Sequence, residues 1–145
     1  AGIRDPLWSR GLGDVYKRQM HEQSKAFRML GNAAIGLAQL LPLATRTNED
    51  GTQNPVNYKI STSWGLIYGK GQFTNSHTHW PDTWSWTYCV SACKDCSPLV
   101  FTHANHRIIP EPSQMIIFPG WLHHEVPEHT CDHERIMIAG NLTVI

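Results

Sequence analysis

No apolar run approaches the roughly 20 residues that a membrane-spanning helix needs, so no such helix is expected. An excess of charge of one sign is also missing. Twelve Lys+Arg face twelve Asp+Glu, and the basic residues are scattered rather than gathered into a stripe. Neither nucleic acid nor an anionic membrane surface is therefore suggested as a partner. A secretory leader pattern is absent, because charged residues stand where its apolar segment would lie. Without a leader, the four cysteines, Cys89, Cys93, Cys96 and Cys131, are expected to stay reduced in a cytoplasmic setting. There is no internal repeat and no low-complexity tract. A chain of 145 residues has the length of a single domain.

Histidine and tryptophan are abundant. Of nine histidines, only His21 lies before residue 76. Trp80, Trp84 and Trp86 cluster beside the His77-Thr-His79 motif, where they suggest an aromatic pocket wall or simply a core.

Residues 1–19 (AGIRDPLWSRGLGDVYKRQ) show neither helical nor strand periodicity. They read as a linker or adapter-derived segment. On that reading a single domain covers 20–145 and is incomplete at its N-terminal end. Residues 24–41 read as a helix, with Phe27, Leu30, Ala34, Leu37 and Leu41 at spacings of three and four, Ser24 as N-cap and Pro42 as stop. Its apolar face is expected to pack on a sheet. The polar stretch 45–56 reads as a loop.

After residue 57 the period changes to two. Strands are expected at 58–61, 64–68, 76–80, 84–92, 99–102, 107–109, 114–118, 122–126 and 135–144, separated by Gly-, Pro-, Asn- and Asp-bearing turns. The eight from residue 64 onward match a mainly β jelly roll, or double-stranded β-helix, with one N-terminal packing helix.

In an extended strand His77 and His79 project from one face, about 6–7 Å apart along the axis. His123 or His124 can supply a third imidazole. Two or three such ligands on a β-scaffold, with positions left open, describe a catalytic metal site rather than a closed structural one. His123 and His124 are neighbours, so strand alternation lets only one of them face the site.

The ordered motifs HTHWP, SWTYCV, PLVF, IIFPGWLHHEVP and ERIMIAGN resemble the Fe(II)/2-oxoglutarate-dependent oxygenases over roughly residues 60–143. The resemblance implies His77 as proximal and His124 as distal iron ligand, with His79 where most of the superfamily has an acidic residue. It implies that Arg135 holds the far carboxylate of 2-oxoglutarate, a role that suits the planar donor fork of a guanidinium. Met137 stands where relatives often carry a serine, and Tyr88 is the expected source of the missing hydroxyl. Trp86 replaces a glycine and should narrow the pocket; Trp80, Trp84 and Trp86 are expected on the substrate side. The implied cofactor is Fe(II), with 2-oxoglutarate as cosubstrate. The implied reaction is hydroxylation of a substrate that the sequence does not identify, with release of succinate and carbon dioxide.

Two other readings fit parts of the sequence. A cupin-like metal protein would use three histidines without 2-oxoglutarate. A non-catalytic β-sandwich binding module would carry structural zinc on Cys93 and Cys96, with Cys89 and Cys131-Asp-His133 nearby; reduced free thiols are the simpler reading of those cysteines. His103, His106, His129 and His133 are given no role. Asn141 is assigned a backbone-satisfying hydrogen bond.

Overall fold

The computed structural model describes residues 18–42 and 44–145. Residues 1–17 of the segment read as linker-derived lie outside them, whereas Arg18 and Gln19 run beside Ser63, whose amide donates to the Arg18 carbonyl at 2.7 Å. A one-turn helix, α1 (Met20–Gln23), follows and leads into α2 (Lys25–Gln39). Ser24 stands at the N-cap of α2 with extended dihedrals but makes no side-chain capping bond. The small residues Gly31, Ala34 and Ala38 are buried on the α2 face that meets the sheet. The stretch expected to be a loop contains a short antiparallel ribbon, β1 (Thr45–Thr47) with β2 (Gln53–Pro55). Its side chains are all exposed, so it carries no burial pattern by which a strand could be recognised.

Eight further strands form the body: β3 (Tyr58–Tyr68), β4 (Thr74–His77), β5 (Trp84–Ser91), β6 (Leu99–Phe101), β7 (His106–Ile108), β8 (Met115–Pro119), β9 (His124–Val126) and β10 (Arg135–Val144). They make two four-stranded antiparallel sheets, ordered β3-β10-β5-β8 and β4-β9-β6-β7. This is the expected jelly-roll architecture, with one helical region near the N-terminus. Helix α2 covers the outer face of the first sheet, where Trp84, Trp86, Tyr58 and Leu142 are buried against Ala34 and Ala38. Between the sheets lies a second core of Tyr68, Leu99, Phe101, Phe118 and Val126.

One departure from the expected strand set has a clear cause. The pieces 58–61 and 64–68 are a single strand, β3. Its pairing with β10 skips Ser61: Asn141 faces Thr62 and Leu142 faces Ile60. A bulge adds one residue to one strand and so reverses which parity faces which side. Tyr58 and Ile60 consequently pack toward the helix, while Trp64, Leu66 and Tyr68 line the space between the sheets. The Ser61 hydroxyl donates to Asp82 Oδ1 at 2.6 Å.

At Gly140 the strands approach so closely that a Cβ would lie 2.5 and 2.6 Å from the Trp86 ring and 2.7 Å from the Thr62 carbonyl oxygen. Trp86 is fully buried and cannot swing aside without opening the core. Gly140→Ala is therefore expected to overpack the sheet and cost ~1–3 kcal/mol. A lowered urea midpoint at unchanged m-value would show it; an unchanged midpoint would mean that the ring has room to move.

Candidate metal centre

The structure brings His77, His79 and His124 together, each offering a ring nitrogen, with these atoms all within 4.8 Å of one another. Ring centroids stand 4.8 Å apart for His77 and His79, 4.3 Å for His77 and His124, and 5.0 Å for His79 and His124. Sheet register explains how residues so far apart in sequence meet. His77, the last residue of β4, is the cross-strand partner of His124, the first of β9. Directly opposed residues hold their Cβ atoms about 5 Å apart.

His79 arrives differently from the expectation. Strand β4 ends at His77, so the two motif histidines do not share one extended strand. His79 lies in the following loop. Its amide donates to the Gly120 carbonyl at 2.7 Å, and its carbonyl accepts from the Asp82 amide at 2.9 Å. Gly120 in turn donates to the Thr83 carbonyl at 3.0 Å and abuts the Asp82 carbonyl so closely that a Cβ could not fit there. The Phe-Pro-Gly-Trp turn thus places the His79 loop, and Trp64 lies 5.7 Å from the His79 ring.

Two imidazoles have an assigned orientation. Nδ1 of His77 meets the Asn75 carbonyl oxygen at 2.8 Å, and Nδ1 of His124 meets that of Leu122 at 2.9 Å. Only a protonated nitrogen can donate to a carbonyl, so each ring carries its hydrogen on Nδ1 and keeps a lone pair on Nε2. Burial depresses the proton affinity of all three, reinforced by neighbouring imidazoles at His79 and His124 and by Arg18 at His77. The His79 pKa falls to about 2 and that of His124 to about 4, and His77 is lowered as well. Neutral rings are the ligand form of histidine.

The sign of the resulting pH dependence follows directly. Above the unfolded pKa of about 6.5, folded and unfolded chains both hold these rings neutral, and stability does not vary on their account. Below it the unfolded chain takes up protons that the folded, metal-free chain refuses. Stability is then lost as pH falls from about 6.5, by up to ~1.4 kcal/mol per pH unit for each such ring. Urea unfolding of metal-free protein between pH 7 and 5 should show a steeper decline for the wild type than for His79→Asn; equal slopes would count against the neutral cluster.

The carboxylates nearest the motifs point elsewhere. Asp82 is engaged by Ser61, and Glu125 borders an outer groove with Phe73 and Asn75. His123, the neighbour of His124, faces away and stacks on His103 at 4.5 Å. The parity of β9 thus selects His124 for the centre.

The three histidines line a narrow cleft with a cavity volume of about 50 Å³. Its other walls are mainly apolar and include Leu66, Phe118, Val126 and Met137. Arg135 lines the same cleft. It is only 3% exposed, its Nε has no hydrogen-bond partner, and no carboxylate pairs with it among the described residues. Its guanidinium lies 4.9 Å over the Tyr68 ring, and burial lowers its pKa. The Tyr68 hydroxyl shares a 2.6 Å hydrogen bond with Thr74; burial raises the Tyr68 pKa, opposed by the adjacent Arg135.

Two expectations for aromatic residues, those for Tyr88 and Trp84, need correction. Tyr88 does not approach Arg135 from the cleft. It shares the parity of Trp84 and Trp86 on β5 and packs with them on the helix side. The phenol beside Arg135 is Tyr68, its register partner across β3 and β10. Alternation put Trp64, Leu66 and Tyr68 on one face, and the bulge at Ser61 decided which side that face takes. Trp84 belongs to the helix-side core and does not line the cleft. Trp86, in the same core, borders the cleft beside Gly140. Trp80 is 74% exposed. Asn141 bonds side chains rather than backbone: it accepts from Ser85 Oγ at 2.8 Å and donates to Thr62 Oγ1 at 2.9 Å, tying three strands together.

No family model and no curated protein matches the sequence. Solved structures do share the fold. A viral collagen prolyl hydroxylase from Paramecium Bursaria Chlorella virus-1, in complex with 2OG, has a TM-score of 0.67 at 10% identity, over 94% of this chain and 82% of that one. A prolyl-4-hydroxylase from Pseudomonas putida has a TM-score of 0.63 at 18% identity, over 96% and 76%. A 2OG-Fe(II) oxygenase family oxidoreductase from Burkholderia pseudomallei has a TM-score of 0.55 at 16% identity, over 60% of this chain and 45% of that one, so the chain spans less than half of that protein.

Proposed function

We propose that the chain is the core of a non-haem Fe(II)/2-oxoglutarate-dependent dioxygenase, an oxidoreductase that hydroxylates a small-molecule substrate. The observation that carries this reading is the charge arrangement of one cleft. Three neutral imidazoles converge in it, a buried guanidinium with no carboxylate partner among the described residues lines the same cleft, and its other walls are mainly apolar. A divalent metal there would bring two positive charges that the imidazoles do not offset. A dianionic 2-oxo acid meets both needs, with one end at the metal and a carboxylate on Arg135.

The residues fit such a metal. Nε2 of His77 and His124 are left with lone pairs by their backbone hydrogen bonds, and three protein ligands leave positions open for other ligands. Imidazole suits iron and zinc alike; iron is chosen because the cleft also offers an anchor for 2-oxoglutarate. The bound metal would supply the activation of dioxygen for the overall conversion of 2-oxoglutarate, O2 and R–H to succinate, CO2 and R–OH. The chain's own residues bind and orient. Arg135 holds the far carboxylate, Tyr68 and Thr74 supply hydroxyls beside it, and Phe118 packs against His124 at 4.8 Å, keeping water from that ring. Met137 and Leu66 give the cleft apolar walls, Trp86 borders it, and exposed Trp80 follows His79 in the chain. A cytoplasmic setting suits the four unpaired thiols.

Anaerobic titration of the Fe(II)-loaded protein with 2-oxoglutarate tests this reading. A saturable visible charge-transfer band is expected. A cupin-like metal protein that does not use 2-oxoglutarate is the second reading, favoured by the histidine at position 79 in place of an acid; it predicts bound metal with no such band.

A further inference from the structure

A second cluster lies outside the cleft. Cys93 and Cys96, in the loop between β5 and β6, meet Cys131, in the loop between β9 and β10, with the three sulfur atoms within 4.8 Å of one another. We propose that Cys93, Cys96 and Cys131 bind zinc through three thiolates, as a clip joining these two loops.

The distances fit a shared ion. Sulfur ligands at 2.3 Å from a tetrahedral zinc lie about 3.8 Å from each other. Cys93 Sγ is 3.6 Å from Cys96 Sγ and 3.3 Å from Cys131 Sγ. Both separations are well beyond the ~2.05 Å of a disulfide, and all three thiols are unpaired. The Cys93-x2-Cys96 loop closes with the Cys96 amide donating to the Cys93 carbonyl at 3.1 Å. The Cys93 amide donates to Cys96 Sγ at 3.2 Å, and the His133 amide donates to Cys131 Sγ at 3.2 Å. Backbone amides thus already meet two of the three sulfur atoms.

The cradle is held from behind. His129 is fully buried; its Nε2 meets the His133 carbonyl at 2.7 Å and its Nδ1 accepts from the Ser97 amide at 3.4 Å. The Ser97 hydroxyl donates to the Glu128 carbonyl at 3.1 Å. These bonds join the same two loops that the sulfurs join, so the thiols approach on a rigid frame. Cys93 and Cys131 are half-buried, whereas Cys96 is buried. Three thiolates leave one tetrahedral position for a further ligand. Cys89, the fourth cysteine, is buried on β5 and stands apart from the cluster.

The site differs from the histidine centre in ligand chemistry, so the two can be tested separately. Full-length chain is isolated under reducing, anaerobic conditions from zinc-supplemented cells, and its metal is quantified. The His77→Ala/His124→Ala variant should keep about one zinc per chain, and Cys93→Ser/Cys131→Ser should lose that equivalent. Cobalt substitution of the histidine variant should give strong sulfur-to-cobalt charge transfer and tetrahedral visible bands, absent from the cysteine variant. Cys89→Ser, which leaves the cluster intact, should retain both metal and spectrum. Chelation of the histidine variant should lower its melting temperature, because the loops lose their tie. The proposal is overturned if the histidine variant binds no zinc under these conditions, if the cysteine variant retains it, or if cobalt binds without sulfur charge transfer. None of these readouts depends on 2-oxoglutarate.

Discussion

Arg135→Ala is expected to weaken 2-oxoglutarate binding by about 100-fold or more, roughly 2.7 kcal/mol, while changing metal affinity by less than about threefold. The guanidinium is nearly inaccessible to water, and its Nε lacks a partner. In the absence of an anion it stands as a desolvated charge, over the Tyr68 ring, and a ligand carboxylate would remove that deficit on binding. The same argument gives the substitution a second signature. Removing an uncompensated buried charge should leave the stability of the ligand-free protein unchanged or higher, unlike most truncations in a core. Arg135→Lys should recover only part of the affinity, because an ammonium offers a point charge in place of a planar fork. Calorimetric titration of 2-oxoglutarate into Fe(II)-loaded protein, without oxygen, measures the first effect, and urea unfolding measures the second. An unchanged cosubstrate affinity in Arg135→Ala would remove Arg135 from the anion site and with it the main support for a 2-oxo acid.

His124→Ala should cost roughly 100- to 1,000-fold in metal affinity. Metal binding energies of about 10–16 kcal/mol, spread over three or four ligands, imply roughly 3–4 kcal/mol per imidazole. His123→Ala should leave the affinity close to wild type, since that ring packs on His103 outside the cluster. His124 is buried beside Phe101 and Phe118, so its truncation also opens a cavity and lowers the stability of the metal-free protein. Metal-free stability measured alongside affinity separates the two effects. Competition titration with a chromophoric chelator gives the affinities; loss of binding in His123→Ala with retention in His124→Ala would reverse the register assigned to β9.

Much of the fold was legible because strands and helices leave local periodicity. Phe27, Leu30 and Ala34 marked the helix, and the period-two stretches marked every strand of the two large sheets. The His-x-His motif and the later His pair were legible as metal ligands because imidazoles at those spacings have few other reasons to crowd together. Local pattern was insufficient where the tertiary structure set the meaning of a face. The skipped residue Ser61 reverses the parity of β3, so alternation alone could not say that Tyr68 turns inward to Arg135. On β5 the parity that carries Tyr88 faces the helix, because the helix and the second sheet compete for the two sides of the same strand.

His79 converged on its partners from a loop held by Gly120, which no strand rule describes. Cys131 met Cys93 and Cys96 through two loops brought together by strands distant in sequence. By itself, the sequence determined the element types, the architecture and two of the candidate ligands, with the third narrowed to His123 or His124, since these depend on side-chain chemistry and near-neighbour spacing; the register of β9 chose His124. Only the tertiary structure decided which phenol accompanies Arg135, how His79 reaches the centre and which cysteines cluster. Those outcomes depend on a bulge, on inter-strand register and on loop contacts, whose energies arise between residues far apart in the chain.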